Sequence, residues 1–329
     1  MGLFSDGNLL EFQEKLITWY DLHRRELPWR STRNAYQIWL SEIMLQQTRV
    51  AAVIEHYQEF LKRFPSIEIL AAARESSVLA AWSGLGYYRR ARMLHAAAKV
   101  IVREHKGAFP KSAQELLALP GIGRYTAAAI ASIAFEQPVA VVDGNVERVL
   151  QRVVGRPLSG EVLWKVAALL LDKSRPGDFN QAMMELGATV CTPRVPTCLT
   201  CPVNGLCATR GELGILRKKA PQQRREIHYA LHHRDKNGKG SEILLVRRPR
   251  AASLMPGMWE LPARQGEDLG DIPMFELRHS ITTTDYRVKV WRRTAPPNVR
   301  GEWIPFARVQ RLPLTGLARK IWRTAKLSN

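Results

Sequence analysis

Leu119-Pro120-Gly121-Ile122-Gly123-Arg124-Tyr125-Thr126 interrupts a helix-forming part of the chain with one proline and two glycines. These residues cannot continue a helix, but they allow a tight hairpin whose amides point outward and whose next helix begins at about Arg124. Exposed amides at a helix N-terminus favour an anion, and a flanking arginine adds the charge that a nucleic-acid backbone uses. Gly121, Gly123 and Arg124 are therefore candidate backbone contacts, although an isolated segment of this kind is as often an ordinary turn between helices. The continuation Thr126-Ala127-Ala128-Ala129-Ile130-Ala131-Ser132-Ile133-Ala134 is a helix of small residues that lets neighbouring backbone approach. Gln137-Pro138 ends it. Asp143 follows, just ahead of Val146-Glu147-Arg148-Val149-Leu150, in an N-cap position where amide donors and the helix dipole would hold its carboxylate ionised. A purely structural cap is the commoner fate of such an Asp.

The totals narrow the function class. With 329 residues, 46% of them hydrophobic, the chain buries a full core and is expected to form two domains. A formal net charge of +19 calls for a polyanionic partner, either nucleic acid or an anionic surface. No apolar run approaches membrane-spanning length, and Met1 to Gly7 is too short and polar for a signal peptide, so an intracellular protein is expected. All four cysteines, Cys191, Cys198, Cys201 and Cys207, fall in one C-x6-C-x2-C-x5-C segment. This suits a single metal site in a reducing compartment, and four thiolates bind either a tetrahedral zinc or a cubane iron-sulfur cluster.

Outward from the hairpin, Tyr36, Trp39, Leu40, Ile43 and Met44 form an amphipathic helical stripe with Glu42 at its edge. Partial burial there would raise the Glu42 pKa toward neutrality and make it a proton donor. Gln47 and Thr48 lie where this helix runs out, suited to base edges or to a gap in a stack. Gly84-Leu85-Gly86-Tyr87-Tyr88-Arg89-Arg90 joins a glycine turn to tyrosines and arginines, a combination that wedges bases and holds phosphates. Further helices are expected at about 91–105 and 112–118, around 163–170, and from Asn180 to Thr189. From Arg210 to Arg225 the chain is basic without apolar period and reads as a linker. Beyond it, Ile243 to Val246 and Tyr286 to Trp291 read as strands, and Pro313 to Leu327 as a closing helix.

Five segments together resemble the MutY family of adenine DNA glycosylases, within the helix-hairpin-helix glycosylases. They are Leu27-Pro28-Trp29-Arg30, Ser41-Glu42-Ile43-Met44-Leu45-Gln46-Gln47-Thr48, Gly84-Leu85-Gly86-Tyr87-Tyr88, the hairpin with Asp143, and the cysteine loop. The resemblance implies a mainly α glycosylase region over 1–210, a six-helix barrel with a [4Fe-4S] cluster on Cys191, Cys198, Cys201 and Cys207. It further implies a linker at 211–225 and a smaller α+β, Nudix-like lesion-recognition domain over 226–329. No Glu-rich Nudix box is present, which argues against pyrophosphate hydrolysis by that domain.

The implied substrate is double-stranded DNA carrying adenine opposite 8-oxoguanine or guanine, bound by a monomer. Glu42 would protonate the base and Asp143 would stabilise the sugar cation, flanked by Asn145 and Tyr125. Trp29, Arg30 and Glu185 would line the adenine pocket, while Gln47, Thr48, Leu85 and Tyr87 would contact the opened duplex. Ile281-Thr282-Thr283 stands where the family places Phe-Ser-His for the oxidised guanine. Two rivals share the scaffold: an endonuclease III-like lyase, which carries a Lys where this chain has Tyr125, and a thymine-mismatch glycosylase. A non-catalytic DNA-binding scaffold would need neither Glu42 nor Asp143.

Overall fold

The structure is a computed structural model that describes residues 6–211, 223–235, 241–263, 272–281, 284–295 and 300–327. The helical part opens with α1 (Asp6–His23), whose Phe12, Leu16, Ile17 and Tyr20 are buried at helical spacing. A 3-10 turn at Pro28–Arg30 leads to α2 (Ala35–Leu45), capped by the Asn34 side chain accepting from the Gln37 amide. Next come α3 (Val50–Arg63), α4 (Ile67–Ala72), α5 (Glu75–Trp82), α6 (Arg89–His105) and α7 (Ala113–Leu116). A reciprocal box between Ser112 and Glu115 starts α7. After the hairpin, α8 (Arg124–Phe135), α9 (Gly144–Val154), α10 (Gly160–Leu170) and α11 (Pro176–Thr189) complete the helical set, followed by short 3-10 turns in the cysteine loop. The last helix starts at Pro176, four residues before the expected Asn180, because proline fits the first helical turn. Among the described residues no helix is long and apolar enough to cross a membrane.

By packing, the chain divides into two units, Met1–Ala71 with Ala96–Arg217, and Ala72–His95 with Lys218–Asn329. The expected division at 210 assigns 72–95 to the first region, whereas these residues group with the second. In the first unit, one core gathers the apolar faces of α1, α9, α10 and α11, and another joins Ile38 of α2 to Ala128, Ala129 and Ile133 of α8. The α11 helix lies close against both α8 and α9 through glycines. A Cβ at Gly177 would meet the Ser132 carbonyl oxygen at 2.7 Å and the Ile133 Cα at 2.9 Å.

The second unit is a mixed sheet in the order β3-β2-β1-β5-β4, and β6, off this path, also pairs with β2. Its strands are β1 (Gln223–Asp235), β2 (Ser241–Arg247), β3 (Trp259–Glu260), β4 (Phe275–Ile281), β5 (Thr284–Arg293) and β6 (Glu302–Pro305). The β1 and β5 strands run parallel from Gln223↔Thr284 to His232↔Arg293; the other pairs are antiparallel. The β1 strand was absent from the sequence reading, and its first three residues fall in the expected linker. Their polar, exposed side chains give no apolar period, and main-chain pairing with β5 holds them instead. Residues 212–222 of that linker lie outside the described residues. After α12 (Phe306–Val309), α13 (Gly316–Leu327) buries Leu317, Ala318, Ile321, Trp322 and Ala325 against the sheet. The expected order, a mainly helical region and then a smaller α+β region, is the order observed.

Gly177→Ala is expected to destabilise the first unit by about 1–3 kcal/mol, because overpacking against backbone outweighs the roughly 1 kcal/mol that Ala gains over Gly in a helix. Urea unfolding of the variant checks this; a midpoint equal to or above that of the unsubstituted chain contradicts it.

Candidate active site

Glu42 sits deeper than its place on the stripe implied. From Tyr36 to Met44 only Gln37 escapes burial in α2, since the helix is enclosed all round, and Glu42 is 6% exposed. Burial drives its carboxyl up to about 7. The Tyr125 hydroxyl, donating to Oε2 at 2.6 Å, pulls against that rise, whereas the nearby charge of Asp143 adds to it and that of Arg30 opposes it. Burial also lifts the Tyr125 phenol well above its ordinary range, so the phenol keeps its proton and is the donor of the pair. The Met184 sulfur lies 3.4 Å from the same phenol oxygen.

Asp143 caps α9 as expected, its Oδ1 accepting from the amides of Asn145 at 2.9 Å and Val146 at 2.7 Å. The Asn145 side-chain amide donates to Oδ2 at 3.0 Å. Burial outweighs these donors and raises the Asp143 carboxyl above the usual aspartate range. Arg148, one turn along α9, donates to the Asn145 side-chain oxygen at 2.8 Å, to the Gly187 carbonyl at 2.6 Å and to the Cys191 carbonyl at 2.8 Å. It therefore ties the residue holding Asp143 to the start of the cysteine loop. Gly187 permits this approach, since a Cβ there would lie 2.6 Å from that of Asn145.

Glu185 is 1% exposed and saturated by arginines. Arg25 grips it with Nε and Nη2 at 2.6 and 2.7 Å, and Arg30 donates Nη2 at 2.7 Å. Burial would raise this carboxyl, but the two guanidiniums overcome it and hold it at about 2. Trp29 is buried edge-on against Tyr57. Beyond α2, the Gln46 amide meets the Thr126 hydroxyl at 3.3 Å, Gln47 is exposed in a left-handed conformation, and Thr48 is half-buried. Sequence reasoning missed Arg25, Arg148 and Met184. Arg25 lies in the charged run His23-Arg24-Arg25-Glu26, which carries no spacing signal of its own, and the other two lie on helices whose facing neighbours only the fold supplies.

The hairpin forms with Gly121 at φ +74° and Gly123 as the extended cap of α8. Arg124 pairs with Glu161 and stacks 4.0 Å over Trp164. Both partners of this ion pair are well exposed, so it exchanges readily for another anion. In the second unit Leu85 is buried, whereas Tyr87 is 46% exposed with the Arg90 guanidinium against its ring. Ile281 ends β4 opposite Thr284; Thr282 and Thr283 lie outside the described residues.

All four cysteines line one small cavity, together with apolar side chains such as Val149, Val190 and Val203. Buried Arg152, another residue the sequence reading missed, donates to the Cys191 sulfur at 3.3 Å and to the carbonyls of Thr192 and Pro193. Among the described residues, no three His, Cys, Asp or Glu side chains stand close enough to share a single metal ion.

The family pattern described as HhH-GPD superfamily base excision DNA repair protein matches residues 40–158. The adenine DNA glycosylase of Mus musculus is 42% identical over 320 residues, covering 79% of this chain and 62% of the mouse protein. That of Homo sapiens is 40% identical over 322 residues, covering 79% of this chain and 59% of the human protein. The chain thus spans less than two thirds of the length of either relative. A solved thermostable thymine-DNA glycosylase superposes with a TM-score of 0.59 at 31% identity, covering 62% of this chain and 97% of that one.

Because the Tyr125 hydroxyl favours the ionised form of Glu42, Tyr125→Phe is expected to move the Glu42 titration above about 7. The carboxyl carbon shift of labelled glutamate, followed by NMR against pH, measures it; an unchanged or lower midpoint refutes the assignment.

Proposed function

The chain belongs to the HhH-GPD superfamily of base excision DNA repair proteins, and within it we propose that it hydrolyses the N-glycosidic bond of adenine mispaired with 8-oxoguanine or guanine in duplex DNA. The observation that carries this reading is the pair of unlike carboxyls. Glu42 is buried with its acid range near neutrality, and Asp143 is held by three donors at a helix start. Such a pair divides the labour of glycoside cleavage. Protonated Glu42, oriented through its other oxygen by Tyr125, delivers its proton to N7 of the flipped adenine. The C1′–N9 bond then breaks with its electrons going to a neutral base. The ionised Asp143 stabilises the sugar cation that remains, or traps it covalently, until water attacks C1′. The likeness to the mouse and human adenine DNA glycosylases supports adenine as the base.

Tyr125 also bears on the rival lyase. A Schiff base needs an amine, and the side chain at this position is a phenol donating to Glu42. Glu185, kept ionised, fixes Arg25 and Arg30 beside Trp29 as one wall of the base pocket. Gln47, Thr48, Leu85 and Tyr87 meet the opened duplex, and Gly121, Gly123 and Arg124 its backbone. Ile281-Thr282-Thr283 is the segment assigned to reading the oxidised guanine. Residues 1–210 serve as the glycosylase region and 226–329 as the lesion reader, in a monomer associated with intracellular DNA.

Cys191, Cys198, Cys201 and Cys207 would hold a [4Fe-4S] cluster. Thiols spread around one cavity suit a cluster that meets each at a corner better than one zinc needing four sulfurs at about 2.3 Å. When bound, the cluster supplies a structural anchor for the loop whose carbonyls Arg148 and Arg152 grip.

Single-turnover base release from duplexes with A opposite 8-oxoguanine, A opposite G, or T opposite G tests the proposal. Adenine should leave fastest opposite 8-oxoguanine, with strand breaks only after alkali. The rate should decline above about pH 7 as Glu42 ionises. Thymine release, or breaks without alkali, would transfer the assignment to one of the rivals.

A further inference from the structure

The turn that bears Tyr87 is not held by its own sequence alone. Gly84 and Gly86 have φ of +115° and +70°, and Tyr87 itself has φ +47°, a strained conformation for a residue with a side chain. Local bonds from Trp82 Nε1 to the Gly86 carbonyl and from Arg90 to the carbonyls of Leu85 and Gly86 close the turn. Its base, however, rests on the far end of the chain. Buried Ser83 and Tyr88 both donate their hydroxyl hydrogens to the Leu314 carbonyl, at 2.8 and 3.0 Å. Leu314 is itself fixed, since its neighbours Pro313 and Thr315 bond to the backbone of Trp259 in β3. Arg319, on the first turn of α13, donates Nε to the Ser83 hydroxyl oxygen at 2.7 Å.

The Arg319 guanidinium is an expensive choice for a simple brace. Its Nη2 is shut off from solvent and has no hydrogen-bond partner among the described residues. None of the salt bridges formed by described residues engages it, so a half-buried charge is directed at one hydroxyl. Burial lowers its pKa accordingly. Side chains of similar length without charge would fill the same space at less cost, so packing alone does not account for an arginine here.

We infer that Arg319 is a positioning residue for base opening: through Ser83 it sets the posture of the Gly84–Tyr87 turn, so that the C-terminal sheet unit carries and aims the base-wedging tyrosine. The inference rests on the proposed reading of Tyr87 as the side chain that fills the gap left by the extruded adenine. It accords with the grouping of Ala72–His95 with the sheet unit and with the Arg92 bond to the Pro256 carbonyl at 2.6 Å.

The full-length chain is mixed with a duplex carrying 2-aminopurine, whose fluorescence rises on unstacking, in place of the target adenine opposite 8-oxoguanine. Three variants are compared: Arg319→Met, which keeps volume and removes charge, Arg319→Lys, and Tyr87→Ala. Arg319→Met should lower the flipping equilibrium by about tenfold, as for losing one hydrogen bond to a charged group. Its thermal midpoint should stay level or rise, because a half-buried charge without a counter-ion has gone. Arg319→Lys should restore flipping through its ammonium donor. Normal flipping in Arg319→Met, a loss that tracks a fallen midpoint, or no recovery with Lys overturns the inference. If Tyr87→Ala flips normally, the wedge reading fails and the inference falls with it; if only Arg319→Met flips normally, the inference alone fails.

Discussion

The phenol of Tyr125 and the carboxyl of Glu42 meet at 2.6 Å inside a helical core, and this buried hydrogen bond sets terms for the structure around it. A carboxyl can stay protonated near neutrality only where water is excluded and neighbouring cations are few. The enclosure of α2 on every face supplies the first condition. The second is met by occupying the nearest arginines elsewhere. Arg25 and Arg30 are bound to Glu185, and Arg148 is bound to Asn145, Gly187 and Cys191, so none forms an ion pair with Glu42. Glu185 and Glu42 are thus two buried glutamates of one unit driven to opposite extremes, one held at about 2 and the other at about 7. The difference between them is two guanidiniums against one phenol.

Close backbone approach makes this arrangement possible. The α8 helix is rich in alanine and α11 carries glycines at 177 and 187, so α11 can lie against α8 and α9 and bring Met184 to Tyr125 and Gly187 to Asn145. The hairpin contributes from the other end. By fixing where α8 begins, it fixes Tyr125 in the first turn of that helix, pointing at Glu42. The same segment therefore offers outward amides to an anion and an inward phenol to the acid.

Much of this was legible in the chain because it is local. An Asp just ahead of an amphipathic helix announces a cap, and Asp143 is one; proline and glycine announce the hairpin; the four cysteines, close in sequence, line one cavity. The depth of Glu42 was not legible, because a stripe of apolar residues on one helix does not reveal whether the opposite face is also covered. Nor were Arg25, Arg148 and Arg319, whose partners lie 160, 43 and 236 residues away. The β1 strand escaped for a related reason: its charged outer residues are ordered by the main chain of β5, to which no local pattern refers.

The central claim is that the fold keeps Glu42 protonated at a stability cost that appears only when the group must ionise. Its folded pKa of about 7 exceeds the ordinary 4.5, so the contribution of the protonated acid is fully present below about 4.5 and is lost as pH rises through about 7. Glu42→Gln does not titrate. Denaturant unfolding of both proteins from pH 5 to pH 8 measures the difference directly. The variant should gain on the unsubstituted chain as pH rises, by on the order of 2 kcal/mol across that range. A difference independent of pH would mean that Glu42 is ionised in the folded protein throughout, and the acid assigned to base release would have to be sought elsewhere.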